Sequence, residues 1–565
     1  MTHPFKPAVA LFMALTMLPL SVPMNAQERV DLDAIHKIRQ EALLNSKVMD
    51  HVFQLTDVHG PRLTNSPGFF AAADWVVKQL KDWGIDDAKQ EKWGPFGRSW
   101  TYSYFSAHIM EPQYSPVIGF PLAWSAGTNG PVTAEVTIAT LTTDADLERY
   151  KGKLKGKIVF LTTGRELTMN ADDPKAQRYT DEQLARLALA LEPGGGRGGR
   201  PVPGTVALNQ AGGGRGGAGR GGDAAGRGGD AAGRGGPGGA QNFNIRRNQF
   251  LKDEGVAVVV QIGGGRSEDG TVFGQSMGSR DIKDPIPPPS VALTPEHYNH
   301  VLRLLDAKIP VKMQFDIQAK YLDERTDSVN VIGEIPGGRK RDEVVMIGAH
   351  LDSWHGGTGA TDNAAGSAVM MEVMRILKTL NLPLDRTVRL ALWSGEEQGL
   401  LGSAAYVKEH FADREDMKLK PEHAKLAGYF NVDNGSGKIR GVYLQGNDAM
   451  RPIFEAWFKP FQDLGASTIS IRDTTGTDHQ SFDRVGLPGF QFIQDPLEYN
   501  VLTHHSNMDV YDRIQAGDMS QMAAIVTSFV YLAANREQML PRKPLPKPQP
   551  AGRGGQAGGN APATN

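Results

Sequence analysis

The 565-residue chain contains no cysteine. Disulfides, thiol nucleophiles and a lipid-modified cysteine are therefore excluded, and any bound metal must be held by nitrogen and oxygen donors. Neither sign of charge is in excess: 61 Lys and Arg face 63 Asp and Glu, a formal net charge of -2. That balance gives no global attraction to nucleic acid or to an anionic membrane, and neither partner is expected. Apolar runs long enough to span a bilayer are lacking beyond the amino end. The first residues carry Lys6, an apolar stretch from Ala8 to Val22, and Ala26 before the polar Gln27. This pattern is expected to be a signal peptide over 1–26; an uncleaved anchor is the alternative. Export without cysteine suits a secreted or periplasmic protein, where bridges are permitted but not required.

Two regions lack the apolar side chains that folding needs. The stretch 193–240 is built of Gly and Arg, with GRGGDAA twice in tandem, and takes a large share of the 66 glycines. It offers almost nothing to offset the entropy of ordering, so a disordered surface loop is expected. Arg-Gly-Gly repeats bind single-stranded nucleic acid when aromatics are interleaved, and this segment has none. The tail, 538–565, reads as disordered in the same way.

The remainder is ordinary globular sequence, 40% hydrophobic, and its length suggests about three or four units of typical size. Between 27 and 114, "DLDAIHKIRQEALLNS" and "SPGFFAAADWVVKQLKDWGI" have apolar residues at helical spacing, the second opening after Ser66 and Pro67. From 115 to 318 short β-rich runs such as "GKIVFLTTG" and "GVAVVVQIGG" predict an inserted domain. From 319 to 537 apolar strands ending in polar residues alternate with helical stretches such as "AAGSAVMMEVMRILKTL". That alternation predicts an α/β fold: a mixed, largely parallel sheet sandwiched by helices. In the final helix, Asp518 reads as N-cap with Gln521 as its capping-box partner.

Ligands of open α/β sheets bind at the carboxyl ends of strands. There this chain places His350 and Asp352, Glu396 and Glu397, and Asp433, with Asp362 in a glycine-rich loop before a helix and His504, His505 and Asp509 further on. Taken singly, Asp362 also reads as a helix cap, Asp433 as a turn residue, and a lone histidine as a packed side chain. Convergence of so many ionisable groups would crowd one rim with negative charge unless cations neutralised it. Two divalent metals sharing a carboxylate would do so, with donors that suit zinc. Adjacent glutamates then divide the labour: one is held by a metal and its neighbour is free as general base.

"GAHLDSW", "GATDNAAG", "LWSGEEQGLLGS", "NVDNG", "GTDHQSF" and "THHSNMD", in this order, resemble metallopeptidase family 28, the co-catalytic di-zinc aminopeptidases and carboxypeptidases. "LTDVHGPRLTNSPG" and "GPFGRSW" are similar to its glutamate carboxypeptidase (carboxypeptidase Q) branch. The resemblance implies that 27–114 and 319–537 form one peptidase domain, and that 115–318 is a protease-associated domain. It implies two zinc ions per chain: His350 and Asp433 on one, Glu397 and His505 on the other, Asp362 bridging. Glu396 would be the general base, and Asp352 would orient His350 through its other ring nitrogen. His504 would line the pocket, and Asp478 and His479 would support substrate or site.

The implied activity is exopeptidase hydrolysis of short peptides or dipeptides. Amino-terminal trimming remains open beside carboxy-terminal or dipeptide cleavage, since each needs a counter-charge that sequence alone does not locate. The family also holds receptor-like members that have lost ligands, whereas every implied ligand is present here. A homodimer is compatible with the branch.

Overall fold

The structure, a computed structural model, describes residues 28–165, 167, 176–193, 240–263 and 270–549. The expected signal peptide and all but the ends of the Gly/Arg-rich stretch lie outside these residues, as does the tail from 550.

Two eight-stranded sheets organise the chain. The first runs Lys89–Trp93, Ser328–Ile335, Arg386–Trp393, Lys340–His350, Leu426–Asn431, Gly489–Gln494, Ile439–Tyr443, Thr468–Ser470. Its four central strands, from Arg386–Trp393 to Gly489–Gln494, are mutually parallel, while pairings toward both edges include antiparallel ones. This is the mixed, largely parallel sheet expected from the alternating pattern. The central strands are buried along most of their length, which is why they read as unbroken apolar runs. Register sets His350 opposite Trp393, and Gly348 opposite Asn431, so the three strands end along one rim.

Helices cover both faces. On one, Ala365–Leu380 and Ala516–Asn535 pack with Leu32–Leu44 and Pro67–Asp82 around Val345, Ile347, Phe430 and Phe529. On the other, Leu401–His410 and His479–Asp483 bring Tyr406, Phe411 and Phe482 against Met346, Trp393 and Tyr429. Pro67–Asp82 starts as predicted, with the Ser66 hydroxyl accepting the Phe69 N–H. The last helix does not. It begins at Ala516, so Asp518 lies inside the first turn and pairs with Arg178 at 2.7 Å. Gln521 turns away to exchange two hydrogen bonds with Ile439, at 2.9 and 2.8 Å. Backbone groups at the start of strand Ile439–Tyr443 outcompete the local capping box.

The second sheet runs Ser115–Pro116, Ser99–Glu111, Lys312–Leu322, Val132–Ile138, Ile158–Phe160, Val258–Ile262, Ser290–Leu293, Gly119–Pro121. It lies in sequence between the neighbouring strands Lys89–Trp93 and Ser328–Ile335 of the first sheet. Its limits are Ser99 and Leu322, wider than 115–318, because the long strand Ser99–Glu111 pairs antiparallel with Lys312–Leu322. An aromatic cluster of Phe96, Trp100, Trp124 and Trp354 joins the two bodies. The stretch 538–549, expected to be disordered, lies against the first body: Leu540 is buried in its core, and the Arg542 guanidinium donates to the carbonyls of His423 (2.9 Å) and Leu426 (2.6 Å).

Candidate metal centre

The strand Lys340–His350 delivers His350 at its last residue, fully buried. Its Nε2 lies 3.2 Å from Asp362 Oδ1, 3.6 Å from Asp433 Oδ2 and 3.9 Å from Glu396 Oε2. From the opposite side His505 Nε2 lies 3.2 Å from Asp362 Oδ2 and 3.0 Å from Glu397 Oε2. Asp362 thus turns one carboxylate oxygen to each histidine. His504 Nε2 approaches the same Asp362 oxygen at 3.6 Å, with its ring stacked on Tyr499. The structure therefore brings His350, Asp362, Glu396, Glu397, Asp433 and His505 into one centre.

Loops hold these side chains in place. Asp362 follows Gly359, whose φ of 69° suits glycine and whose Cβ position would lie 2.3 Å from the Ser353 side chain. Asp509 pins the loop: one carboxylate oxygen accepts the N–H and hydroxyl of Thr361 (2.6 and 2.8 Å), and the other accepts the Asp362 N–H (3.2 Å). His505 has a φ of 61°, in the left-handed region that non-glycine residues enter mainly when surrounding structure imposes it.

Asp352 departs from its implied role. His350 Nδ1 faces the backbone carbonyl of Asp352 at 2.9 Å, and the carboxylate is further off at 3.7 Å. That carboxylate instead accepts the backbone N–H groups of Glu396 and Glu397, each at 3.3 Å, and the Thr64 hydroxyl at 2.8 Å. It fixes the turn carrying the two glutamates.

Burial and mutual repulsion work against so many charged carboxylates in one place. Burial raises Glu396 well above the usual carboxylate range, reinforced by Asp433 and Asp478 over the opposing pull of His350. Burial likewise pushes Glu397, Asp478 and Asp509 up to about 7. Burial disfavours a charged His505, but Glu397 and Asp362 overcome it and lift the imidazole to about 10. Asp362, despite burial, is held well below its ordinary value by His350 and His505. A cation at this centre would relieve the same crowding of buried carboxylates. The donors fit such ions: imidazole and carboxylate suit zinc, and among the described residues His350 Nε2, Asp362 Oδ2 and Glu397 Oε1 are buried without a hydrogen-bond partner. A narrow cleft opens on the centre, lined by Trp354, Gly357, Gly359, Asp362, Glu397, His505, Ser506 and Asp509.

Sequence reasoning passed over Arg62 and Thr64, which lie in a stretch that reads as a turn-rich loop. Arg62 is wholly buried and donates to the carbonyls of Leu55 (2.5 Å), Leu351 (2.7 Å), Thr358 (2.8 Å) and Gly359 (2.9 Å). An arginine beside a proline and a glycine was the available signal. Asp478 is buried behind the centre. Its neighbour His479 faces the Gln445 amide nitrogen at 2.8 Å, and burial lowers this imidazole to about 4.

Residues 330–530 match the model of peptidase family M28. Carboxypeptidase Q of Homo sapiens is 29% identical over 273 residues, 48% of this chain and 55% of the relative. Aminopeptidase YwaD of Bacillus subtilis is 30% identical over 218 residues, 37% of this chain and 46% of the relative. The chain spans about half the length of the curated relatives it matches. Among solved structures, a peptidase M28 precursor from Shewanella amazonensis superposes with a TM-score of 0.60 at 23% identity, covering 91% of this chain and 98% of that one. The zinc aminopeptidase BSAP from Bacillus subtilis gives 0.50 at 19% identity, covering 87% and 95%. Both are likenesses of fold.

Proposed function

Because the chain carries a peptidase family M28 domain, homologous to carboxypeptidase Q and bacterial M28 aminopeptidases, we propose that it is a zinc-dependent exopeptidase acting on short peptides or dipeptides outside the cytoplasm. The observation that carries this reading is the division of Asp362 between His350 and His505, 3.2 Å on either side, with Glu396 and Glu397 alongside. His350, Asp433 and one Asp362 oxygen would hold one zinc; Glu397, His505 and the other oxygen would hold the second. Ions bound there would polarise the scissile carbonyl and acidify a water.

The chain's own residues do the rest. Glu396 takes a proton from the attacking water and returns it to the departing amine; its buried position favours the protonated form and so keeps it basic enough to accept. Asp352 keeps Glu396 and Glu397 on one turn, so that base and ligand retain their relative position. Trp354, Gly357 and Gly359 wall the cleft in which substrate would lie.

Relatives of both kinds, carboxypeptidase and aminopeptidase, make an unblocked dipeptide the first substrate to test. Hydrolysis that stops on chelation and returns with zinc is the expected result. A folded, zinc-loaded protein that cleaves no free dipeptide and neither of two end-blocked ones would sink the proposal. Comparison of the two end-blocked peptides assigns the terminus.

A further inference from the structure

The body built on the second sheet reaches the metal centre through the connection between strands Val258–Ile262 and Ser290–Leu293. Residues 270–277 run between the two bodies and are held on both sides. On one side Ala123 donates to the Gln275 carbonyl at 2.9 Å and accepts the Met277 N–H at 3.0 Å. On the other, Val272 donates to Asn507 Oδ1 at 2.7 Å and accepts the Asn507 N–H at 3.2 Å, while Phe273 bridges Ser506. This two-sided clamp carries the Gln275 side chain to His505, where its amide nitrogen lies 2.9 Å from Nδ1. The Phe273 ring flanks the same imidazole, 5.7 Å between centroids.

His505 Nε2 is turned to Asp362 and Glu397. A histidine that ligates through Nε2 carries its ring proton on Nδ1, and that proton needs an acceptor. An amide presents either its oxygen or its NH2 group by a half-turn, so Gln275 Oε1 can accept the Nδ1 proton from the position the amide already occupies. We infer that Gln275 is a positioning residue of the metal centre: it fixes the tautomer and ring orientation of His505, and through it the 99–322 body sets the strength of metal binding. The inference rests on His505 being a metal ligand. It makes the inserted body part of the centre's machinery, since residues 230 apart in sequence share this hydrogen bond.

The test uses the full chain and zinc alone, titrated against a chelator of known affinity. Gln275→Leu should weaken binding of one zinc by about 10- to 100-fold, the usual cost of losing such a partner. Gln275→Glu, whose carboxylate accepts the same proton, should retain or tighten it. A merely structural role would lower the unfolding midpoint of the zinc-free protein in both variants and leave the zinc affinity of the folded fraction unchanged. Nitrogen-15 NMR of the zinc-loaded wild type should show His505 protonated on Nδ1, a readout that stands even if Gln275→Leu does not fold. Wild-type zinc affinity in folded Gln275→Leu, equal losses in both variants, or an Nε2 proton on His505 each overturn the assignment while leaving the peptidase reading intact. A wild type that binds no zinc overturns both.

Discussion

Thr64 and Asp352, 288 residues apart, share a buried hydrogen bond of 2.8 Å. The same hydroxyl accepts the Gly395 N–H at 3.1 Å, so Thr64 ties the end of one strand to the turn that carries Glu396 and Glu397. Thr64→Val keeps the shape and removes both bonds. The orphaned groups should cost about 1–3 kcal/mol of stability. Loosening of the glutamate turn should lower kcat/KM by about tenfold or more, with zinc content maintained. Urea unfolding and dipeptide kinetics read the two effects separately.

Glu396→Gln and Asp362→Asn should fail in different ways. The first keeps the shape of the side chain but cannot accept a proton, so kcat should drop by about 10²- to 10⁴-fold with both zincs still bound. The second weakens the one carboxylate that faces both histidines, so zinc itself should be lost. Inductively coupled plasma mass spectrometry alongside kinetics distinguishes them. Near-normal turnover in zinc-replete Glu396→Gln would remove the proposed base.

The sheet and most of the centre are legible in sequence because His350, Glu396, Glu397 and Asp433 each follow an apolar strand, and parallel register then aligns their ends. Asp362 and His505 are legible as residue types, but their meeting depends on loops folded by Asp509 and by the left-handed backbone at His505. Gln275 leaves no periodic or motif signal, and Arg62 shows only as an arginine following Gly60 and Pro61; the roles of both exist only once distant segments touch. Local signals also lose to tertiary ones: Asp518 and Gln521 look like a cap, yet Arg178 and Ile439 claim them. Composition averages over the tail, and so hides that Leu540 and Arg542 dock.

Arg62 should tolerate no substitution. Its rigid fork serves four carbonyls in a buried loop junction, a geometry that the single ammonium of lysine does not reproduce. Arg62→Met leaves those carbonyls without a donor and removes a buried positive charge that interacts with Asp509, Asp352 and Asp362. A loss of about 3–5 kcal/mol is expected, with Arg62→Lys recovering little of it. Chemical denaturation of both variants in the zinc-free state measures the difference.

Acid should weaken the fold through Glu372. Its fully buried carboxylate accepts two bonds from Arg375 (2.8 Å each) and one from the Lys47 N–H (3.0 Å), and lies 3.2 Å from His51 Nε2. Burial alone would raise this acid, but His51 and Arg375 outweigh it and bring Glu372 from an ordinary value near 4.5 down to about 2. A carboxylate depressed by folding stabilises the native state fully above its unfolded value and loses that contribution as pH falls toward its folded one. The window is therefore pH 4.5 to 2, and the contribution is about 3 kcal/mol at neutral pH. Glu372→Gln cannot titrate, so its stability should start lower at pH 7 and decline less through the acid window than that of the wild type. Urea midpoints measured across that range on the zinc-free protein decide it: parallel curves for the two proteins would show that Glu372 is not the group whose protonation destabilises this fold.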